Sequence, residues 1–406
     1  MDSPLRHDPV AASPSSEETD PPEARPQAEV VVDLAAIAAN LRVLQARLAD
    51  GSDRPAPALM VVVKADAYGH GMVPVARVAR RSGADWLGVA TAAEALSLRE
   101  AGDSGRLLCW LAAPGTDFAP LVAADVDVTA SSVSQVEEVV RGAAEARTRA
   151  RLQLKFDTGL SRNGAPRADW LELVTAARHA ELEGQVVVTG LWSHLACADE
   201  PDHPANAAQT DAFTEALALA ADAGLTPEVR HLANSAGALL HPATWFDLVR
   251  VGIAAYGLSP APDVLTSAQL GLTPAMTVRG TVVAVRELQP GDGVSYGHTY
   301  VATGPEQVAL VPLGYADGVP RAASSRAEVE VAGVRCPVRG RICMDQFVVA
   351  APGARPGDQV VLFGPGTQGE PTATDWARWC DTIDYEIVTR TRGRHVRTWV
   401  GEQGED

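Results

Sequence analysis

The stretch "VVVKADAYGHG" runs from Val61 to Gly71 and puts Lys64 at the end of an apolar run. A lysine there must reach solvent along its stem, pair with an anion, or react. Desolvation lowers an amine's pKa and makes it a nucleophile able to form a Schiff base with a carbonyl, the chemistry a pyridoxal 5'-phosphate (PLP) enzyme requires. Tyr68, four residues on, could hydrogen-bond a phosphate or simply pack. "HLANSAG" offers Ser235 at the start of a helix, and "RVGIA" offers Gly252 and Ile253, where bare backbone can approach oxygen atoms. Helix starts and free N–H groups bind anions; a serine cap and a strand glycine are the plainer alternatives. Arg250 lies inside an apolar strand and must have a partner there. Set against the pyridine nitrogen of PLP, an arginine would keep its proton and leave the ring nitrogen unprotonated.

Chemistry of this kind needs a scaffold that gathers distant residues. Eight short apolar runs begin at Ala58, Asp85, Arg106, Val126, Arg151, Val186, Glu228 and Leu248, separated by Ala/Arg/Glu-rich stretches of helical spacing. Unbroken apolar strands alternating with helices predict a parallel sheet, and eight such units predict a (β/α)8 barrel, with an open doubly wound sheet as the rival. In a barrel the C-terminal strand ends form one rim. Lys64, Arg162, His194, Ser235 and Arg250 all fall at such ends. After about residue 270 short strands follow one another through Gly/Pro turns, which predicts a mostly antiparallel all-β part. The expected division is a Pro- and acid-rich disordered tail over 1–28, an α/β barrel over 29–268 and a β domain over 269–406. "FGPGTQGE" matches a GxGxxG pattern at Gly364, Gly366 and Gly369, but no βαβ context surrounds it.

With 406 residues, 46% of them apolar, the chain can bury a large core. A net charge of −17 argues against nucleic acid and anionic membranes as partners. Five scattered cysteines without a CxxC pair suggest neither a disulfide framework nor a metal site. The N-terminus lacks the pattern of a signal peptide and no apolar run could span a bilayer, so a cytoplasmic location is expected.

Taken in order, "VVKADAYGHG", "KFDTGLSRNG", "HLANSAG", "VRVGIAAYGL", "GVSYGHTY", "VPLGYADG", "GRICMDQ" and "DYEIVTR" resemble the alanine racemase family from about Glu29 to Gly401. The resemblance implies that Lys64 holds PLP and serves as one base, with Tyr296 as the other, supplied by the second subunit of a homodimer. It implies that Tyr68, Ser235, Gly252, Ile253 and Tyr385 bind the phosphate, and that Arg250 faces the pyridine nitrogen with His194 and His231 in support. Arg162 and Met344 would contact the substrate, alanine, or the cofactor oxygen, with Asp345 beside Met344 at the pocket entrance. Lys155 aligns with a lysine that is often carbamylated. The chain departs from the common pattern at Asp66, where many members have Asn, and at Val251, where Pro is frequent. The alternatives are a PLP decarboxylase of similar architecture, a racemase of serine or of several amino acids, and a non-enzymatic PLP carrier.

Overall fold

The computed structural model describes residues 26–50, 55–391 and 393–401. Most of the expected disordered tail, residues 1–25, lies outside them.

All eight expected barrel strands are present: β2 (Ala58–Val62), β3 (Trp86–Val89), β4 (Arg106–Cys109), β5 (Asp127–Ala130), β6 (Ala150–Lys155), β7 (Val186–Trp192), β8 (Val229–His231) and β9 (Leu248–Val251). They pair in parallel in the order β8-β7-β6-β5-β4-β3-β2-β9. The amides of Asp247 and Arg250 bond the carbonyls of Arg230 and Ala233, at 3.0 and 3.1 Å, and nearly close the ring between β8 and β9. Helices after the strands cover the outside. Leu41, Leu44, Leu98, Val139, Val174 and Phe213 bury their apolar faces completely or nearly so.

The second sheet has nine strands and is antiparallel except for one pair. Its members are β1 (Ala28–Asp33), β10 (Met276–Thr281), β11 (Ala284–Leu288), β14 (Glu306–Val311), β15 (Glu328–Val331), β16 (Val334–Arg339), β17 (Phe347–Ala350), β18 (Gln359–Phe363) and β19 (Val396–Val400). A small hairpin, β12 (Gly293–Val294) with β13 (Tyr300–Val301), stands apart. The chain path differs here from the expected division. β1 begins at Ala28, the last residue of the expected tail, and runs on through residues 29–33 of the expected barrel span, yet it lies between β10 and β19, antiparallel to one and parallel to the other. The physical reason is burial on the second sheet, where Val30 and Val32 are almost wholly enclosed. Two helices, Ala373–Trp379 and Asp384–Thr389, also interrupt the otherwise β-rich C-terminal part.

The GxGxxG match spans a loop between β18 and the helix Ala373–Trp379. The Glu370 carboxylate accepts the N–H groups of Gly366 and Gln368 there, at 2.8 and 2.9 Å. The chain thus fills with its own anion the position a phosphate would need.

Candidate active site

Strand β2 ends at Val62, and Lys64 opens a short turn rather than closing the strand. Ala65, Asp66, Ala67 and Tyr68 all have φ of 52° or 54°, a left-handed turn made without glycine. Such backbone costs about 1–2 kcal/mol per residue and persists only where surroundings impose it. The Glu94 carboxylate accepts the Ala65 N–H at 2.7 Å and, with its other oxygen, the N–H groups of Ala90 and Thr91. Asp66 accepts from the Met72 amide at 2.8 Å and pairs with Arg397 on β19. Trp399 Nε1 donates to the His70 carbonyl at 2.9 Å. The second sheet therefore clamps the turn that carries Lys64 and Tyr68.

One cavity of about 910 Å³ opens at the C-terminal end of the barrel. Lys64, Tyr68, Lys155, Arg162, His194, Ser235, Arg250, Gly252, Ile253 and Tyr385 all line it, ten of the residues singled out from sequence. Burial and then the nearby Arg162 charge pull the Lys64 pKa down, which increases the fraction of free amine. Its Nζ lies 5.7 Å from the Trp110 ring centroid. Burial, with Arg250 and Arg162 nearby, brings the Lys155 pKa down to about 7, and its Nζ stands 4.3 Å from the Trp192 ring.

A second cluster of groups in the same cavity could receive an anion. Ser235 begins the helix Ser235–Leu240, and its Oγ accepts the Gly252 N–H at 2.8 Å. Tyr68 packs between Tyr256 and Tyr385, with centroids at 5.0 and 6.0 Å. Burial raises the pKa of both Tyr68 and Tyr385, so each keeps its proton as a donor. Among the described residues neither hydroxyl donates to a protein acceptor, and neither does that of Ser235. Three hydroxyl donors converging on one end of a cavity suit a phosphate.

Arg250 is buried and finds its partners among neutral groups. Its Nη1 bonds His231 Nδ1 at 2.9 Å, and its Nη2 reaches the carbonyls of Ser193 and Leu232 and His194 Nδ1 at 2.8, 3.0 and 3.2 Å. Burial draws its pKa down to about 9, so the guanidinium remains charged at neutral pH. Burial beside that cation holds His194 and His231 neutral.

The remaining three residues stand elsewhere. Tyr296 is 72% exposed in a turn, Tyr296–His298, and Met344 is 53% exposed. Ser295 Oγ contacts Cys343 Sγ at 3.2 Å, so Tyr296 and Met344 sit on adjoining loops. Asp345 pairs with Arg394 at 2.8 Å instead of standing at the cavity of its own chain. Sequence reading missed Trp110, Glu94 and Tyr256, since an aromatic or a helix-capping glutamate carries no local signal of a neighbouring cavity.

The chain matches the family description "Alanine racemase, N-terminal domain" over residues 32–260 and "Alanine racemase, C-terminal domain" over residues 275–399. It belongs to the alanine racemase family. The alanine racemase of Streptomyces coelicolor is 53% identical over 383 residues, covering 93% of this chain and 96% of that protein. The alanine racemase of Thermobifida fusca is 51% identical over 376 residues, covering 92% of this chain and 98% of the other. The crystal structure of alanine racemase from D-cycloserine-producing Streptomyces lavendulae superposes with a TM-score of 0.91 at 51% identity, covering 94% of this chain and 99% of that one. The barrel and β-rich sheet described above are therefore the architecture of the alanine racemase family, with the cavity at the barrel mouth. Among the described residues no helix is long and apolar enough to cross a membrane, and no cluster of His, Cys, Asp and Glu could hold a metal ion.

Proposed function

We propose that this chain interconverts L- and D-alanine with PLP held in the barrel cavity, using Lys64 and Tyr296 as its two bases in a homodimer. The observation that carries the reading is the desolvated Lys64 amine sharing one cavity with three free hydroxyl donors and a buried arginine. PLP fits these residues. Lys64 would hold it covalently, Tyr68, Ser235, Gly252, Ile253 and Tyr385 would take the phosphate, and Arg250 would face the pyridine nitrogen. When bound, the group supplies an electron sink for the charge left at the alanine α-carbon.

The protein's own work is proton transfer and orientation. Racemisation removes the α-proton from one face and returns one to the other, so one base per face is the simplest solution. Lys64 Nζ would serve one face, since its lowered pKa provides the free amine. Tyr296 Oη, from the partner chain, would serve the other. Arg162 would orient the alanine carboxylate, with Met344 beside it. Lys155 is neutral in part at pH 7, as carbamylation requires, and a carbamate there would place an anion near Arg162. Arg250, charged at neutral pH, would keep the ring nitrogen free of a proton and limit side reactions.

The exposure of Tyr296 and Met344 on adjoining loops supports the dimer reading, because a cavity of one barrel would be completed by that face of another chain. We assign the activity to D-alanine supply for peptidoglycan, in the cytoplasm; five unpaired cysteines agree with a reducing compartment. The decisive test follows the optical rotation of L-alanine with purified, PLP-loaded protein. Decay to zero is expected. A stable rotation with PLP bound at Lys64 would point to another amino acid or to a cofactor carrier.

A further inference from the structure

Arg250 is only 4% exposed, and among the described residues no carboxylate stands within ion-pair distance of it. A buried cation without a counter-charge is costly. A hydrogen-bonded path from it reaches a carboxylate through two neutral side chains. His231 Nε2 meets Gln153 Oε1 at 2.8 Å, and Gln153 Nε2 donates to Asp127 Oδ2 at 3.0 Å. Asp127 is fully buried and also accepts from Thr189 Oγ1 at 2.5 Å and Arg151 Nε at 2.6 Å.

Every proton on this path is determined by chemistry. A carboxylate only accepts, so Gln153 must turn its amide nitrogen to Asp127 and its oxygen to His231. His231 must then carry its proton on Nε2 and present a lone pair on Nδ1. Arg250 only donates, and its Nη1 meets that lone pair. The path is also built for. Gly190 on β7 faces Gln153, and a β-carbon there would lie 2.6 Å from the Gln153 carboxamide. The β6–β7 register shifts between Leu152 and Gln153. Trp192 stacks on His231 with centroids 5.5 Å apart and planes 6° from parallel, which fixes the imidazole. Asp127 opens β5, so it lies at the N-terminal strand ends, across the barrel from the cavity.

We propose that Asp127 is a positioning residue for Arg250, acting through Gln153 and His231 from the opposite end of the barrel. It fixes the orientation of each hydrogen-bonded link between its carboxylate and the guanidinium. The proposal rests on the reading that Arg250 serves the cavity's chemistry.

The test compares Asp127→Asn, Gln153→Met and the double variant as holoenzymes. Each single variant should lower kcat about tenfold, with KM nearly unchanged, as loss of a hydrogen bond in a charged network implies. The double variant should be no worse than either single one, because both cut the same path. In ¹⁵N-labelled holoenzyme, the Nε2–H resonance of His231 should shift or broaden in both single variants. Arg151→Gln is the control. It breaks the Asp127 ion pair outside the path, so it should lower thermal stability while leaving kcat and the His231 resonance in place. Equal loss in Arg151→Gln, or an unmoved His231 resonance with unchanged kcat in Gln153→Met, would overturn the proposal. Arg250→Met separates the two readings. If it keeps full kcat, the role of Arg250 fails. If it is inactive while Asp127→Asn and Gln153→Met are not, only the relay fails.

Discussion

A β-carbon added to Gly252 would stand 2.4 Å from the Tyr68 hydroxyl oxygen. The two residues come from β2's left-handed turn and from the turn after β9, and they meet only because the barrel closes there. Gly252→Ala must push the Tyr68 ring aside, and that ring is enclosed by Tyr256 and Tyr385. We expect a loss of about 1–3 kcal/mol in stability from overpacking. PLP affinity should fall as well, read by titration of the apoprotein followed by absorbance. Unchanged affinity would separate Tyr68 from the phosphate cradle.

Tyr296 is expected to act across a subunit boundary. Tyr296→Phe should lower racemisation by about 10²–10⁴, the usual contribution of a positioned acid or base. Mixing inactive Lys64→Ala chains with inactive Tyr296→Phe chains gives a sharper readout. Random pairing leaves about a quarter of the sites with both bases if the sites are shared between chains of a two-fold dimer. Activity should therefore return to about that level. No recovery after verified subunit exchange would put both bases in one chain.

Glu94 holds the strained turn through the amide next to Lys64. In Glu94→Ala, three N–H groups lose a charged acceptor, and stability should drop by about 1–3 kcal/mol or more. PLP should dissociate faster on dialysis, because Lys64 and Tyr68 share the released turn. A destabilised variant that retains PLP at the wild-type rate would show that the turn keeps its shape without Glu94.

His70 offers a pH test. It is wholly buried, stacked on Tyr256 at 4.5 Å, and its Nδ1 contacts the carbonyls of Ala67 and Tyr68. Burial pulls its pKa down to about 4. The unfolded chain binds this proton below about 6.5, whereas the folded chain resists it until about 4. Stability is thus fully present above about pH 6.5 and is lost as pH falls toward 4, by up to about 3 kcal/mol. Urea unfolding at pH 7 and pH 4.5 should show a larger acid loss in the wild type than in His70→Gln. Equal pH dependence in the two proteins would contradict the assignment.

Much of this protein was legible in its sequence, for a local reason. Barrel strands such as "ALMVV" and "WLGV" are buried on both faces, so each reads as an unbroken apolar run. Glycine and proline marked the antiparallel turns beyond residue 270. Lys64, Ser235, Arg250 and Gly252 stand out because a charge, a helix start or a missing side chain is unusual at a strand end.

Only the tertiary structure decided what depends on distant partners. β1 lies in the second sheet because strands from the far end of the chain offer it two free edges, which no window of sequence contains. The left-handed turn at Ala65–Tyr68 has no glycine to announce it, since the restraint comes from Glu94 and β19. The path from Asp127 to Arg250 joins residues spread over more than a hundred positions, each an ordinary polar residue in its own strand. Spacing along a strand sets which face a side chain takes. Which polar group it then meets is set by the closure of the barrel, because buried donors and acceptors must find partners wherever the fold brings them.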